Sequence, residues 1–184
     1  MKTRVILIVA FFSITFSSFG QYRMVEGEIG FGLPLYRSKL QDETNAIFAP
    51  SAIFGELRFN IPGSHFSPGV HIYIGGWEVN TSDNSTRKRN INAIMFVCDY
   101  NFNEIKNFIR PFTGFGIGNA QLFDGSLSTW TSGKFIISPR IGVEFWNRAR
   151  LTLLYHITQK DYGSLNLNIG FVFGGGKIKE KIKE

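Results

Sequence analysis

Ser164-Leu-Asn-Leu-Asn-Ile-Gly-Phe-Val-Phe173 is the stretch that decides the fold. In an extended chain Leu165, Leu167, Ile169, Phe171 and Phe173 share one face, while Asn166, Asn168 and Gly170 share the other. A strict period of two means a β-strand with one apolar and one polar side. Ten residues suffice to cross the hydrocarbon layer of a bilayer when the strand is tilted. The segment ends on an aromatic residue, where an interfacial girdle sits in a membrane barrel.

The amino terminus reads as an address. Lys2 and Arg4 form a basic start, residues 5–12 are apolar, and Ser18-Phe19-Gly20 places small residues at a cleavage site. Residues 1–20 are therefore expected to be a signal peptide, leaving Gln21 as the first residue. The alternative, a membrane anchor, is disfavoured because the apolar run is short and breaks into Ser and Thr. With no Cys at position 21, a lipid anchor there is not expected. The chain of 184 residues has one cysteine, Cys98, so no intrachain disulfide forms. Its net charge of +6 falls to +4 without Lys2 and Arg4, and much of the excess lies in the tail 177–184. The remaining basic residues are scattered, which excludes a nucleic-acid footprint. Beyond residue 20 no run of 18 apolar residues remains, which excludes a helical membrane protein.

Eight alternating segments follow, at 23–34, 51–60, 67–78, 89–102, 108–119, 133–146, 150–158 and 164–173. Long polar links (36–50, 80–88, 121–132) alternate with short turns (61–65, 103–107, 147–149); only 159–163 is shorter than this rhythm requires. Short turns on one rim and long loops on the other are the signature of an outer-membrane barrel. The expectation is an all-β, eight-stranded antiparallel up-and-down transmembrane β-barrel over 21–173, with a basic periplasmic tail at 174–184. An even strand count puts both termini in the periplasm of a Gram-negative bacterium.

The lipid face is expected to carry Ile53, Leu57, Phe59, Val70, Ile72, Ile74, Ile137, Ile141, Val143, Phe145, Leu151, Leu153, Tyr155 and Ile157. The fourth segment is apolar on both faces; Asp99 and Asn101 assign Ile94, Phe96, Cys98 and Tyr100 outward. Pro139 has no N–H for a sheet ladder and should mark a bulge or a weakened pairing. Phe59, Phe66, Phe102, Phe108 and Phe145 flank the short turns, and Tyr36, Phe48, Trp77, Phe135, Tyr155 and Tyr162 lie toward the long loops, as two interfacial belts would.

The opposite face holds Glu26, Glu28, Glu56, Arg58, Asp99, Arg110, Arg140 and Glu144, with Asn60, Asn101, Asn166 and Asn168. Glycines 30, 32, 114, 116, 118, 142 and 170 are interleaved with them. An eight-stranded lumen is just wide enough for side chains to fill. Unpaired buried charge is costly, so these residues are expected to form a salt-bridge network that plugs the lumen. A soluble lipocalin-like carrier needs the inverse arrangement, apolar inside and polar outside. Glycine crowding on the charged face favours the membrane barrel, because a narrow lumen needs small residues.

Ser138-Pro-Arg-Ile-Gly-Val-Glu-Phe-Trp-Asn147, Arg150-Leu-Thr-Leu-Leu-Tyr155, the closing 165–173 and Gly174-Gly-Gly-Lys177 together resemble the small outer-membrane β-barrels of Bacteroidota, in the broad OmpA/OmpX-like group. The likeness covers 21–176 and is one of pattern; the group hosts adhesins, enzymes, secretion accessories and barrels of unknown role, so it implies a fold more than a function. It implies contact with outer-membrane lipid and lipopolysaccharide, and with the barrel-assembly machinery during biogenesis. A protein partner at the extracellular loops, or service as an accessory of a secretion complex, stays open. Tyr155-His-Ile-Thr158 is similar to the His-x-Ser element of lipid A deacylase barrels. His156 and Thr158 share a face, but Thr replaces the Ser, and Asn168 stands where an orienting Glu is expected. His65 and His71 have no acid or thiol at ligand spacing, so no metal and no cofactor are expected. Asn80-Thr-Ser and Asn84-Ser-Thr read as polar loop. The expectation is a non-catalytic barrel with a structural or interaction role.

Overall fold

The structure is a computed structural model that describes residues 24–37, 43–47, 52–61, 64–81, 86–102, 108–124, 129–158 and 163–174. Residues 1–20, read as a signal peptide, and the tail 177–184 lie outside the described residues. The strands are β1 (Val25–Arg37), β2 (Glu43–Ile47), β3 (Ala52–Phe59), β4 (Phe66–Thr81), β5 (Thr86–Asn101), β6 (Ile109–Asp124), β7 (Thr129–Phe145), β8 (Ala149–His156) and β9 (Ser164–Phe173). Around the sheet the order is β4-β3-β1-β9-β8-β7-β6-β5, and β5 pairs back onto β4. Eight antiparallel strands thereby close into an up-and-down barrel with no free edge through the membrane.

The ninth strand, β2, lies outside the ring and pairs along the far end of β4, from Glu43↔Thr81 to Ile47↔Glu78. The polar link expected at 36–50 therefore contains a strand; its composition gives no alternation, and the open edge of β4 supplies the template. The links expected at 80–88 and 121–132 also shorten, because β4, β5, β6 and β7 run to Thr81, Thr86, Asp124 and Thr129, a few residues past the expected segment ends.

That continuation has a physical cause. On the lower part of β5, Ile94 and Phe96 face outward, with Phe96 73% exposed, while Asp99 is buried. Farther up, Asn90 and Asn92 are outward and half-buried, while Ile91 and Ala93 are buried. On β6, Phe115 and Ile117 give way outside to Asn119 and Gln121, while Ala120 and Leu122 become the buried residues. The inside-outside polarity of the wall inverts. Below the inversion it matches hydrocarbon outside; above, it matches water outside. Cross-strand partners put the inversion at one level: Ile74↔Asn92, Ile94↔Asn119 and Asn119↔Phe135.

Below that level the outer wall is apolar all round. Ile53, Leu57, Ile72, Ile74, Ile141, Leu153, Ile169 and Phe171 are exposed, as are Ile29 and Phe31 on β1. Leu165 to Phe173 at about 3.3 Å per residue, tilted by about 40°, spans about 23 Å. That matches the height of a barrel's apolar band, about 25 Å. No soluble carrier presents such a wall to water.

Aromatics gather at the short-turn rim: Phe66 and Phe102 meet Tyr100 edge-on, with ring centroids 5.3 and 5.4 Å apart. Trp146 belongs to this belt and was not anticipated there. It sits in the β7–β8 turn with φ 52°, followed by Asn147 at φ 53°. Such angles strain a bulky residue. The Trp146 N–H donates to Phe108 O at 2.9 Å, and its ring lies 4.2 Å from that of Phe108. At the opposite rim Phe135 is exposed; the side chains of Tyr36, Phe48, Trp77 and Tyr162 lie outside the described residues.

Pro139 produces a gap without a bulge. The β7–β8 ladder runs from Phe145↔Ala149 to Arg140↔Leu154, stops, and resumes in the same register as the lone bridge Ile137↔Ile157. The bulge lies higher, between Ala120 and Leu122 on the β6 side, where Gly133 takes φ 78° on β7.

Candidate functional site: the barrel interior

The buried side chains of the interior lie in three layers, and the alternation of the strands aims them there. The lowest is ionic. Arg58 Nη1 donates to Glu28 at 2.5 Å and to Glu56 at 2.7 Å, with Glu26 at 3.5 Å and Glu144 at 3.6 Å from Nη2. Arg110 Nη2 donates to Glu144 at 2.6 Å and approaches Glu26 at 3.4 Å. Arg140 grips two acids at once: Nε and Nη2 reach Asp99 at 2.6 and 2.7 Å, and Nη1 and Nη2 reach Glu56 at 2.6 and 2.9 Å. All eight of the residues singled out in the sequence meet here and are buried.

Arg150 is a ninth member that sequence reasoning missed. It donates to Asp99 and, at 3.2 Å, to Glu144, and its guanidinium lies 3.5 Å over the ring of Phe112. A signal was present: Arg150 has the parity of Thr152 and His156, and it is the direct cross-strand partner of Glu144. His71 is a further participant, with Nδ1 2.7 Å from Glu56 Oε2. Spacing along the sequence could not show this, because Glu56 comes from the neighbouring strand as the direct partner of His71. Among the described residues no cluster of three metal-ligating groups forms.

Glycine makes room for these long side chains. A Cβ at Gly170 would stand 2.1 Å from Glu28 Oε1, and one at Gly114 would stand 2.1 Å from Asp99 Oδ1. At the short-turn end the layer is covered by amide and hydroxyl groups: Ser67 donates to Asn60 at 2.7 Å and Asn101 donates to Ser67 at 2.9 Å.

The middle layer is polar and aromatic. His71 stacks between Phe54 and Tyr73, with centroids at 5.3 and 6.4 Å. Tyr73 donates to Asn166 at 3.1 Å, and its ring meets His156 edge-on at 4.6 Å. Ser138 Oγ and His156 Nδ1 share a hydrogen bond of 2.8 Å. The third layer, toward the long-loop end, is apolar: Ala52, Ile91, Ala93, Ala120, Leu122 and Ile136 pack as one cluster with Met95 and Val97.

His156 therefore has Ser138, not Thr158, as its hydroxyl partner. Both members of that pair are sealed inside the lumen, facing away from lipid, and His156 Nε2 has no hydrogen-bond partner. Thr158 is half-buried. The Ser–His distance suits proton transfer, but both side chains are buried and Asn168 on β9 supplies no carboxylate.

An apolar outer wall, a charged interior and closure of β5 onto β4 define a membrane-spanning eight-stranded β-barrel of the outer-membrane kind. No family model matches the chain, and no curated protein matches it. Among solved structures it is similar to Ail, the attachment invasion locus protein of Yersinia pestis, at 14% identity and a TM-score of 0.45, over 81% of this chain and 97% of that one. Neisserial surface protein A is similar at 11% identity and a TM-score of 0.48, over 82% and 95%. The N-terminal β-barrel domain of Pseudomonas aeruginosa OprF matches at 13% and 0.47, over 82% and 98%.

Proposed function

We propose that this chain is a non-catalytic barrel of a Gram-negative outer membrane, with periplasmic termini, a plugged lumen and an interaction role at its extracellular end. The observation that carries this reading is the part of β4–β7 above the polarity inversion. There the sheet stands clear of hydrocarbon and keeps its own apolar cluster. One margin is covered by β2; the other, Thr129–Ile136 of β7, has no partner strand among the described residues. An unpaired strand edge offers backbone groups to an extended peptide of a partner protein. The ionic and apolar layers support a plugged lumen, because together they leave no charged group of the lower layer without a counter-charge.

Phe135 lies two residues beyond Ile137, whose N–H faces β8, so the Phe135 N–H points to the open margin. Phe135→Pro removes that donor, whereas Phe135→Ala keeps it. The test is a mild-detergent pulldown from the native outer membrane followed by crosslinking at position 135. Partner recovery lost in Phe135→Pro and kept in Phe135→Ala supports the reading; equal recovery in both refutes edge pairing. Incubation with lipopolysaccharide should release no acyl chains, with His156→Ala indistinguishable from the unaltered barrel; release that His156→Ala abolishes would make it an enzyme. Single-channel recordings in planar bilayers should show no conductance steps, and steady open steps would refute the plug.

A further inference from the structure

We infer that the wall of this barrel opens at one seam, between β7 and β8, and that the Ser138–His156 pair is the latch that holds it shut. The ladder there has six consecutive residue pairs, against fifteen between β4 and β5. Residues of β7 that bond to β8 alternate along the strand. Ile137 does so in both directions: its N–H donates to Ile157 O at 2.9 Å, and Ile157 N–H returns to Ile137 O at 2.8 Å. Two residues on, Pro139 points the same way and stands opposite Tyr155 in that register, but it has no N–H to give. One rung of the ladder is therefore missing in the outer part of the apolar band, where no water replaces it. Above Ile137 the edge of β7 pairs with no strand among the described residues, so the described ladder between the two strands ends at the lone bridge.

Ser138 and His156 are direct cross-strand neighbours in that register, and their side chains bond on the inner side of the missing rung. Ser138 also lies 3.2 Å from Met95 Sδ, and Tyr73 closes over the imidazole ring. The latch thus ties β7 to β8 and backs both against β4 and β5. Opening the seam brings His156 Nε2, unpartnered in the closed barrel, to the outer leaflet. His156 and Ser138 are positioning residues here.

Native-state amide hydrogen exchange by NMR, on the full barrel in lipid nanodiscs, tests the seam. The amides of Ile137 and Ile157 should exchange faster than those of Ser138 and Arg140, which face β6. Ser138→Ala should speed Ile137 and Ile157 about fivefold, the worth of one hydrogen bond, and leave Ser138 and Arg140 sites unchanged. Ser138→Thr, which keeps the hydroxyl, should restore the slow rate. Pro139→Ala returns the donor and should slow both amides by a similar factor. Equal exchange along β7, or a Ser138→Ala effect that spreads to the β6-facing amides, overturns the proposal. Should Ser138→Ala fail to fold, Pro139→Ala decides alone: unchanged rates at Ile137 and Ile157 refute the seam.

Discussion

Arg140→Met is the most demanding test of the ionic layer. Arg140 makes four hydrogen bonds to two acids, Glu56 and Asp99, and all three side chains are buried. Met keeps much of the volume and removes the charge. Before substitution the layer sets four guanidiniums (Arg58, Arg110, Arg140, Arg150) against five carboxylates (Glu26, Glu28, Glu56, Asp99, Glu144); afterwards it sets three against five. Each charge-assisted bond is worth about 1.5–3 kcal/mol. The four do not add, because Asp99 keeps Arg150, and Glu56 keeps Arg58 and His71. The remaining penalty is that of leaving buried charge under-compensated, about 3–5 kcal/mol. The assay is reversible urea unfolding of the barrel in lipid vesicles, followed by tryptophan fluorescence. Arg148→Met, in the exposed β7–β8 turn, is the control and should stay within about 0.5 kcal/mol of the unaltered chain. In the double variant Arg140→Met/Glu56→Gln one of the stranded charges is gone. The two changes should then cost less together than their sum, by at least about 1 kcal/mol. Strict additivity, or a loss at Arg140 no larger than at Arg148, would refute the account of the lumen given above.

The lipid-facing wall predicts that Leu153→Arg or Leu167→Arg costs about 2–4 kcal/mol in the same assay. Asn119→Arg, at the inversion level, should cost under about 1 kcal/mol, and equal costs would sink the face assignment. Gly170→Ala drives a Cβ into Glu28 and should lower stability by about 1–3 kcal/mol; a neutral result would mean that Glu28 has another place to go. On gels, unboiled and boiled samples should run at different apparent masses, and identical mobility would count against a closed barrel.

How far the sequence could be read depended on which solvent a segment faces. β9 and the lower parts of β3, β7 and β8 lie wholly within hydrocarbon, so one alternation ran from end to end and could be followed. β4 to β7 pass from lipid to water midway. On β5 and β6 the alternation reverses phase there: Ile91 and Ala93 turn inward and made the fourth segment look apolar on both faces, while Leu122 turns inward in a stretch that looked like a loop. β2 was illegible because Glu43-Thr-Asn-Ala-Ile47 owes its shape to the edge of β4 and to nothing in its own pattern. The ionic residues were legible from parity and chemistry. Their pairing was not, because Glu56–His71 and Glu144–Arg150 are neighbours only after the strands register. Arg150 lay too close to the turn for its inward direction to stand out.

The charges of the lower layer come from β1, β3, β5, β6, β7 and β8, and the pairs Glu26–Arg110, Glu56–Arg140 and Asp99–Arg150 join strands that no single hairpin contains. A half-zipped ring would hold naked guanidiniums and carboxylates at the level of acyl chains. Insertion and circularisation are thereby coupled: a nascent chain gains a tolerable interior only when its first and last strands have met. Biogenesis of this barrel should accordingly show a sharp, all-at-once end point, with halfway forms too costly to accumulate in the lipid.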